Sequence, residues 1–129
     1  MPMKKLLAIW SVLVGAAMIG MWCMLYALGA IPEMASKPWE IAMHLAAEFA
    51  TAGLLIVSGL ALLARAGWAS RVNLFASGML VYTLIQSPGY YLQRNGLAFV
   101  VMFVACLVAT LALSEAFRPR PRTPAVRPE

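Results

Sequence analysis

The chain has 129 residues, 63% hydrophobic and only 12% charged, with a formal net charge of +5 and a mean hydropathy of +0.82. An ordinary soluble domain carries about twice that charged fraction, so the composition excludes one and points to lipid. Four runs reach the length of about 20 apolar residues that a membrane helix needs, at residues 6–30, 39–64, 68–87 and 97–117. Little is left for a second domain, and the expected fold is a single all-α, four-helix transmembrane bundle over residues 1–117.

The first run follows Lys4 and Lys5, as a secretory signal would, and Ala27-Leu28-Gly29 resembles a cleavage site. Its apolar stretch passes twenty residues, whereas a signal core has about 7 to 15, so a retained first helix is expected. Ala16, Gly20, Cys23 and Ala27 form a small-residue seam along it, suited to close helix packing. Pro32 and Pro38 then end one helix and admit the next, since proline lacks an amide donor but tolerates a first turn. The second run has its own seam, Ala42, Ala46, Ala50 and Gly53, opposite an ionisable stripe, which predicts a helix packed against protein on both sides. Ala66-Gly67 reads as a short turn, Pro88-Gly89 as the end of helix three, and Asn95-Gly96 as the start of helix four. Residues 118–129, rich in arginine and proline, read as an extended or disordered tail.

Lysine and arginine alternate between sides. Lys4, Lys5, Arg65, Arg71, Arg118, Arg120, Arg122 and Arg127 fall on one side, and Lys37 and Arg94 on the other. That bias predicts a prokaryotic inner-membrane protein with both termini cytoplasmic. The basic residues are divided among three short segments without interleaved aromatics, which argues against nucleic acid and for membrane lipid headgroups as partners. Trp10, Trp39, Trp68, Tyr90 and Tyr91 suit interfacial positions. Cys23 and Cys106 stand in no CxxC arrangement and read as packing residues, not as a disulfide or zinc site. Met18, Met21, Cys23, Met24, Met34, Met43 and His44 would suit cuprous ion, but they form no compact repeat, and methionine is an ordinary gap filler. A single histidine also gives haem no pair of imidazole ligands. No metal or cofactor is expected. Glu115 and Arg118 read as a solvated helix end.

The chemistry concentrates in the second run, where Glu40, His44 and Glu48 follow at intervals of four. Each ionisable group at membrane depth costs roughly 2.5 to 3.5 kcal/mol on insertion scales, so the stripe must face a partner, a cavity or a substrate. With a span centred near Gly53, His44 falls at the outer boundary and Glu48 roughly 7 Å inside, and Thr51 and Ser58 continue the face inward. The same topology brings Tyr26 and Cys23, the i, i+4 pair Tyr82 and Gln86 beside Gly78, and Asn95 to a similar depth. A carboxylate with an imidazole partner can exchange protons, bind a cation or recognise a polar group on an amphiphile. Alternatively Glu48 is neutral and bonded to Gln86 or Tyr82 in a purely structural role, and Glu40 serves the helix dipole and reaches water. The candidate set is Glu48, His44, Glu40, Tyr82, Gln86 and Tyr26, for binding or proton exchange, with no residue assigned to catalysis.

The stretch from His44-Leu45-Ala46-Ala47-Glu48 to Ser58-Gly59 resembles the second helix of small uncharacterised prokaryotic four-helix membrane proteins. That resemblance implies a membrane bundle and no established activity. Small multidrug exporters and four-helix fluoride channels are of similar size. Their nearly balanced charges differ from the bias here, and the first helix lacks the exporters' key carboxylate. Membrane sterol isomerases share only the general idea of acidic residues in a helical bundle. The leading expectation is a small proton- or cation-coupled transporter or transporter subunit with an unknown small ligand. It would be oligomeric through its small-residue seams, as a homo-oligomer or with a partner membrane subunit. The alternatives are a non-enzymatic module that recognises a lipid or partner helix, and an intramembrane enzyme on a lipid-like substrate with Glu48 and His44 as acid and base.

Overall fold

The computed structural model describes residues 2–116, and the arginine- and proline-rich tail expected at 118–129 lies outside the described residues. Every regular element described is helical: α1 (Pro2–Ala27), α2 (Glu33–Ser36), α3 (Pro38–Leu63), α4 (Ala69–Leu92) and α5 (Leu97–Ala116). Three of them, α1 from Met3, α3 and α5, are long and apolar enough to cross a membrane. Helix α4 has the length, but Arg71, Asn73, Ser77, Gln86 and Ser87 dilute its apolar run. The expected four spans are therefore met by an all-α chain with three helices of spanning character.

Three helices end in the same way. Gly29, Arg65 and Asn95 each adopt a left-handed conformation, with φ of 60°, 59° and 54°. The amide of the next residue reaches back to the carbonyl five positions earlier: Ala30 to Leu25 at 2.9 Å, Ala66 to Ala61 at 2.9 Å, and Gly96 to Tyr91 at 2.8 Å. The second turn thus hinges on Arg65 and not on Ala66-Gly67. The capping bonds offset the cost of a left-handed arginine, about 1 to 2 kcal/mol. Pro88 does not end helix three as expected. It sits inside α4, which continues to Leu92. Proline removes one amide donor there, and the extra turn is held from outside the helix. Tyr91 stacks on Phe99 at 4.7 Å and lies 5.6 Å from Phe103, while Tyr90 bonds to Glu33.

Neighbouring helices pair as α1 with α3, α3 with α4, and α4 with α5, and α5 touches α1 again. The closest approach is between α1 and α3. A Cβ on Gly59 would stand 2.8 Å from the Ala8 carbonyl oxygen and 2.8 Å from Val12 Cγ2, and one on Gly15 would stand 2.7 Å from Ile56 Cγ1. These glycines, with Ala8, Ser11 and Ala52, are the seam in use. The seams expected from the sequence point elsewhere: Ala16, Gly20, Cys23, Ala27, Ala42, Ala46 and Ala50 are exposed, and Gly53 has open space where a Cβ would be. The inward side of α3 is taken by Glu48, Thr51, Leu55 and Ser58, so its alanine face turns out.

Beneath the apolar cluster of Met18, Ala52, Leu55, Ala76, Leu80, Leu84 and Phe103, a buried amide joins three helices. Asn73 Nδ2 donates to Ser11 Oγ at 2.8 Å and to Ser58 Oγ at 3.0 Å. Each serine donates to its own helix, Ser11 to Leu7 and Ser58 to Leu55. Trp10 Nε1 donates to Thr110 Oγ1 at 3.1 Å and ties α1 to α5.

At the opposite end Glu33 Oε1 accepts from the Tyr90 hydroxyl at 2.9 Å and from Arg94 at 3.2 Å, and the Arg94 guanidinium lies 4.3 Å from the Tyr90 ring centre. This latch fastens the α1–α3 connection to the end of α4. A bond from its own backbone amide holds the Glu33 carboxyl below the usual carboxylate range. Partial burial opposes that, and Tyr90, Arg94 and Lys37 reinforce it.

Two measurements test this architecture. Gly59→Ala should destabilise the protein by about 1 to 3 kcal/mol in detergent unfolding, while Gly53→Ala leaves it unchanged or slightly more stable; equal effects would discredit the α1–α3 seam. Because the folded Glu33 carboxyl is depressed, its latch contributes fully above the ordinary carboxylate range and is lost as pH falls through the lowered value. Hydrogen-exchange protection of the 33–36 amides, relative to their intrinsic rate at each pH, should therefore decrease on acidification in a way that Glu33→Gln removes.

Candidate functional site

Helix α3 opens with Pro38 at its first turn and Glu40 just behind it. Glu40 is exposed and pairs with Lys37 Nζ at 3.3 Å, an i, i+3 contact in solvent reach. One turn on, the half-buried His44 meets the edge of Trp22 from α1, with ring centres 5.6 Å apart at 74°. Another turn on, Glu48 is 4% exposed. Its Oε2 accepts a long hydrogen bond of 3.4 Å from Trp22 Nε1. Among the described residues Trp22 is the hydrogen-bond partner found for Glu48, whose remaining surface lies on an opening beside it.

The opening is a cavity of about 200 Å³ between α3 and α4. His44, Ala47, Glu48 and Thr51 line it from one helix, and Met79, Tyr82, Thr83 and Gln86 from the other. Both sets follow the spacing i, i+3, i+4, i+7, which is one face of a helix, so two regular helices suffice to build it. Glu48 and Thr51 are buried and form the floor, whereas Ala47, Gln86 and Tyr82, the last 66% exposed, stand at the rim. Thr51 Oγ1 donates to the Ala47 carbonyl at 2.8 Å. Below the floor, Leu55 and Leu80 close the way to the Asn73 node, and the α3 backbone rises about 10 Å from Thr51 to Ser58.

Of the six candidates, Glu48, His44, Tyr82 and Gln86 are brought around one cavity. Glu40 is not, being held by Lys37 at the start of α3. Tyr26 is not either: it is 67% exposed near the end of α1 and lines no part of the cavity. In the structural alternative Glu48 would bond to Tyr82 or Gln86, and its hydrogen bond here comes from Trp22. The sequence reading overlooked Trp22. Its signal was the inward stripe Ala8, Ser11, Gly15, Met18, Trp22, spaced by three and four, which the alanine seam obscured. Met79 and Thr83 were missed as well, although they fill the positions between Gly78 and Gln86 on the face already chosen.

The arrangement can hold one positive charge against one carboxylate, with an imidazole, a phenol and an amide in reach. Among the described residues no group of three or more His, Cys, Asp or Glu side chains is placed to bind a metal ion. Of the sulfur set considered for cuprous ion, Met24, Met34 and Met43 are exposed and Met18 is buried in the core.

No curated protein and no solved structure matches the chain. A family model described as a domain of unknown function, DUF8058, matches residues 1–118, nearly the whole length, and the chain belongs to that family.

Proposed function

We propose that the chain is a four-helix integral protein of a prokaryotic inner membrane, with both termini cytoplasmic, and that it works as a small proton- or cation-coupled transporter or transporter subunit. The observation that carries this is Glu48, buried beside a cavity that it lines, with one oxygen held by Trp22. A carboxylate kept at membrane depth and still reachable is suited to bind and release a charge, because its two states differ strongly in their need for a counter-ion.

Helix α4 counts as the fourth span in this reading. Its polar residues Asn73 and Ser77 are buried and Gln86 borders the cavity, while Leu74, Phe75 and Ile85 face outward, as lipid requires. Arg71 is exposed near the start of α4, within snorkelling reach of an interface. In the transport cycle Glu48 holds the cation when ionised and releases it on protonation. His44, four residues nearer the outer end, passes the proton, and Tyr82 and Gln86 orient the bound group. The Leu55–Leu80 layer is the closed side, which a carrier needs and must open in its other state.

A second reading, a non-enzymatic assembly module, draws on the outward faces of Ala42, Ala46 and Ala50 and of Ala16 and Gly20, which suit a second helix or another copy. The two separate in proteoliposomes. Glu48→Gln should cut pH-driven flux by roughly tenfold or more, since hydrogen bonds to charged groups contribute about 1.5 to 3 kcal/mol, with helix content and monodispersity unchanged. His44→Gln should flatten the pH profile before it lowers the maximal rate. Full flux in the Glu48 variant would sink the carrier, and absent flux with a stable co-purifying subunit would favour the module.

A further inference from the structure

We infer that the cation taken by the Glu48 cavity is a small organic ammonium ion, admitted sideways between α3 and α4; this rests on the carrier reading above. Three features select that chemistry. The first is room. A volume of about 200 Å³ is well above the roughly 10 to 15 Å³ that a single water needs. A proton or a bare metal ion leaves it unfilled, and an ammonium head with a few carbons fills it.

The second is the donor set. A dehydrated inorganic cation needs about six oxygen ligands, supplied where side-chain groups are lacking by backbone carbonyls. Here α3 and α4 run as helices past the cavity, so their carbonyls are engaged within the helix except that of Leu84, whose partner four residues on is Pro88, and Thr51 donates to Ala47 but keeps its oxygen lone pairs. One carboxylate, one imidazole, one phenol, one amide and two hydroxyls line the cavity from two helix faces and not from a ring around the ion, beside the apolar walls of Ala47 and Met79. That set neutralises a single charge and leaves carbon surface for alkyl groups. The titratable groups facing the bound ion are Glu48 and His44 from α3 and Tyr82 from α4, while α1 contributes the uncharged indole of Trp22.

The third is the direction of opening. Only two helices line the cavity, its buried floor lies toward the core, and Ala47, Tyr82 and Gln86 form an exposed rim on the flank of the pair. Trp22 closes the α1 side. A ligand that reaches Glu48 through this rim comes from the bilayer side, which favours cations with enough carbon to partition there.

Trp22 also supplies the readout. The full-length protein in nanodiscs is titrated with tetraethylammonium and n-butylammonium, with sodium and potassium, and with neutral n-butanol, and the emission is compared with that of Trp22→Phe. The expected result is a saturable, Trp22-dependent change with the ammonium probes, absent with the metal ions and butanol. It should weaken roughly tenfold or more in Glu48→Gln. Ala47→Phe, at an exposed rim position that leaves the core untouched, should weaken it likewise and keeps the test decisive if Glu48→Gln misfolds. Glu48-dependent saturation by sodium or potassium alone would overturn the organic ligand and keep the carrier; ammonium binding indifferent to both variants would overturn the site; and no Glu48-dependent binding of any cation would overturn both readings.

Discussion

A carboxylate in an apolar helix constrains everything around it, because it must find hydrogen-bond donors or water, and Glu48 finds one indole and one cavity. That requirement sets the rotation of α3. Turning Glu48 inward brings Thr51, Leu55 and Ser58 with it and sends Ala42, Ala46 and Ala50 out. The hydroxyls on this stripe are cheap to bury, since Thr51 and Ser58 each donate to a carbonyl of their own helix. Glu48 alone depends on other helices for its polar contacts. The partners of one side chain therefore decide which faces of α1 and α4 approach α3.

Tight and loose packing are separated along the helices. Around Ser58 the backbones of α1 and α3 come close enough to exclude a Cβ, and Asn73 crosses between them with two hydrogen bonds. Beyond the Glu48 level, Glu33, Tyr90 and Arg94 tie the loop to the end of α4. Between these fastenings α3 and α4 are joined at the cavity mostly through the residues that line it. Missing packing atoms forfeit dispersion contacts at that level.

The helix positions and the polar stripe were legible in the sequence because they follow from a single strand of text: apolar length, a period near 3.6, and the spacing of Glu40, His44 and Glu48. Which small residues make the close approach was not. Ala42, Ala46 and Ala50 look as good a seam as Ala52, Ile56 and Gly59, and only the burial of Glu48 on the competing face decides between them. Pro88 misled because a breaker is judged locally, whereas the turn after it is kept by Glu33, Phe99 and Phe103, all distant in sequence. Arg65 was passed over at its turn because glycine at 67 is the more obvious candidate for a left-handed residue, yet hydrogen bonding at the end of α3 puts that conformation two positions earlier. Tyr26 shares approximate depth with the site, but depth says nothing of azimuth, whereas Glu40 shares the stripe and sits about 12 Å from Glu48 at the start of α3. Lys37 and solvent claim them instead.

The polar residues of the interior do not form a continuous line. Glu48 and Thr51 make one layer, Ser58, Asn73 and Ser11 another, and Leu55, Leu80 and Ala76 fill the space between. A water-filled pore would need polar or mobile groups at that middle level, and the leucines there are among the most completely buried side chains of the described residues. Moving a charge through such a layer by diffusion carries the full cost of desolvation, which a low-dielectric core makes several kcal/mol. Exposing Glu48 first to one side and then to the other would require α3 and α4 to part at this layer and the bond from Asn73 to Ser58 beyond it to break. The leucine layer therefore argues against a continuous water-filled pore through the described residues.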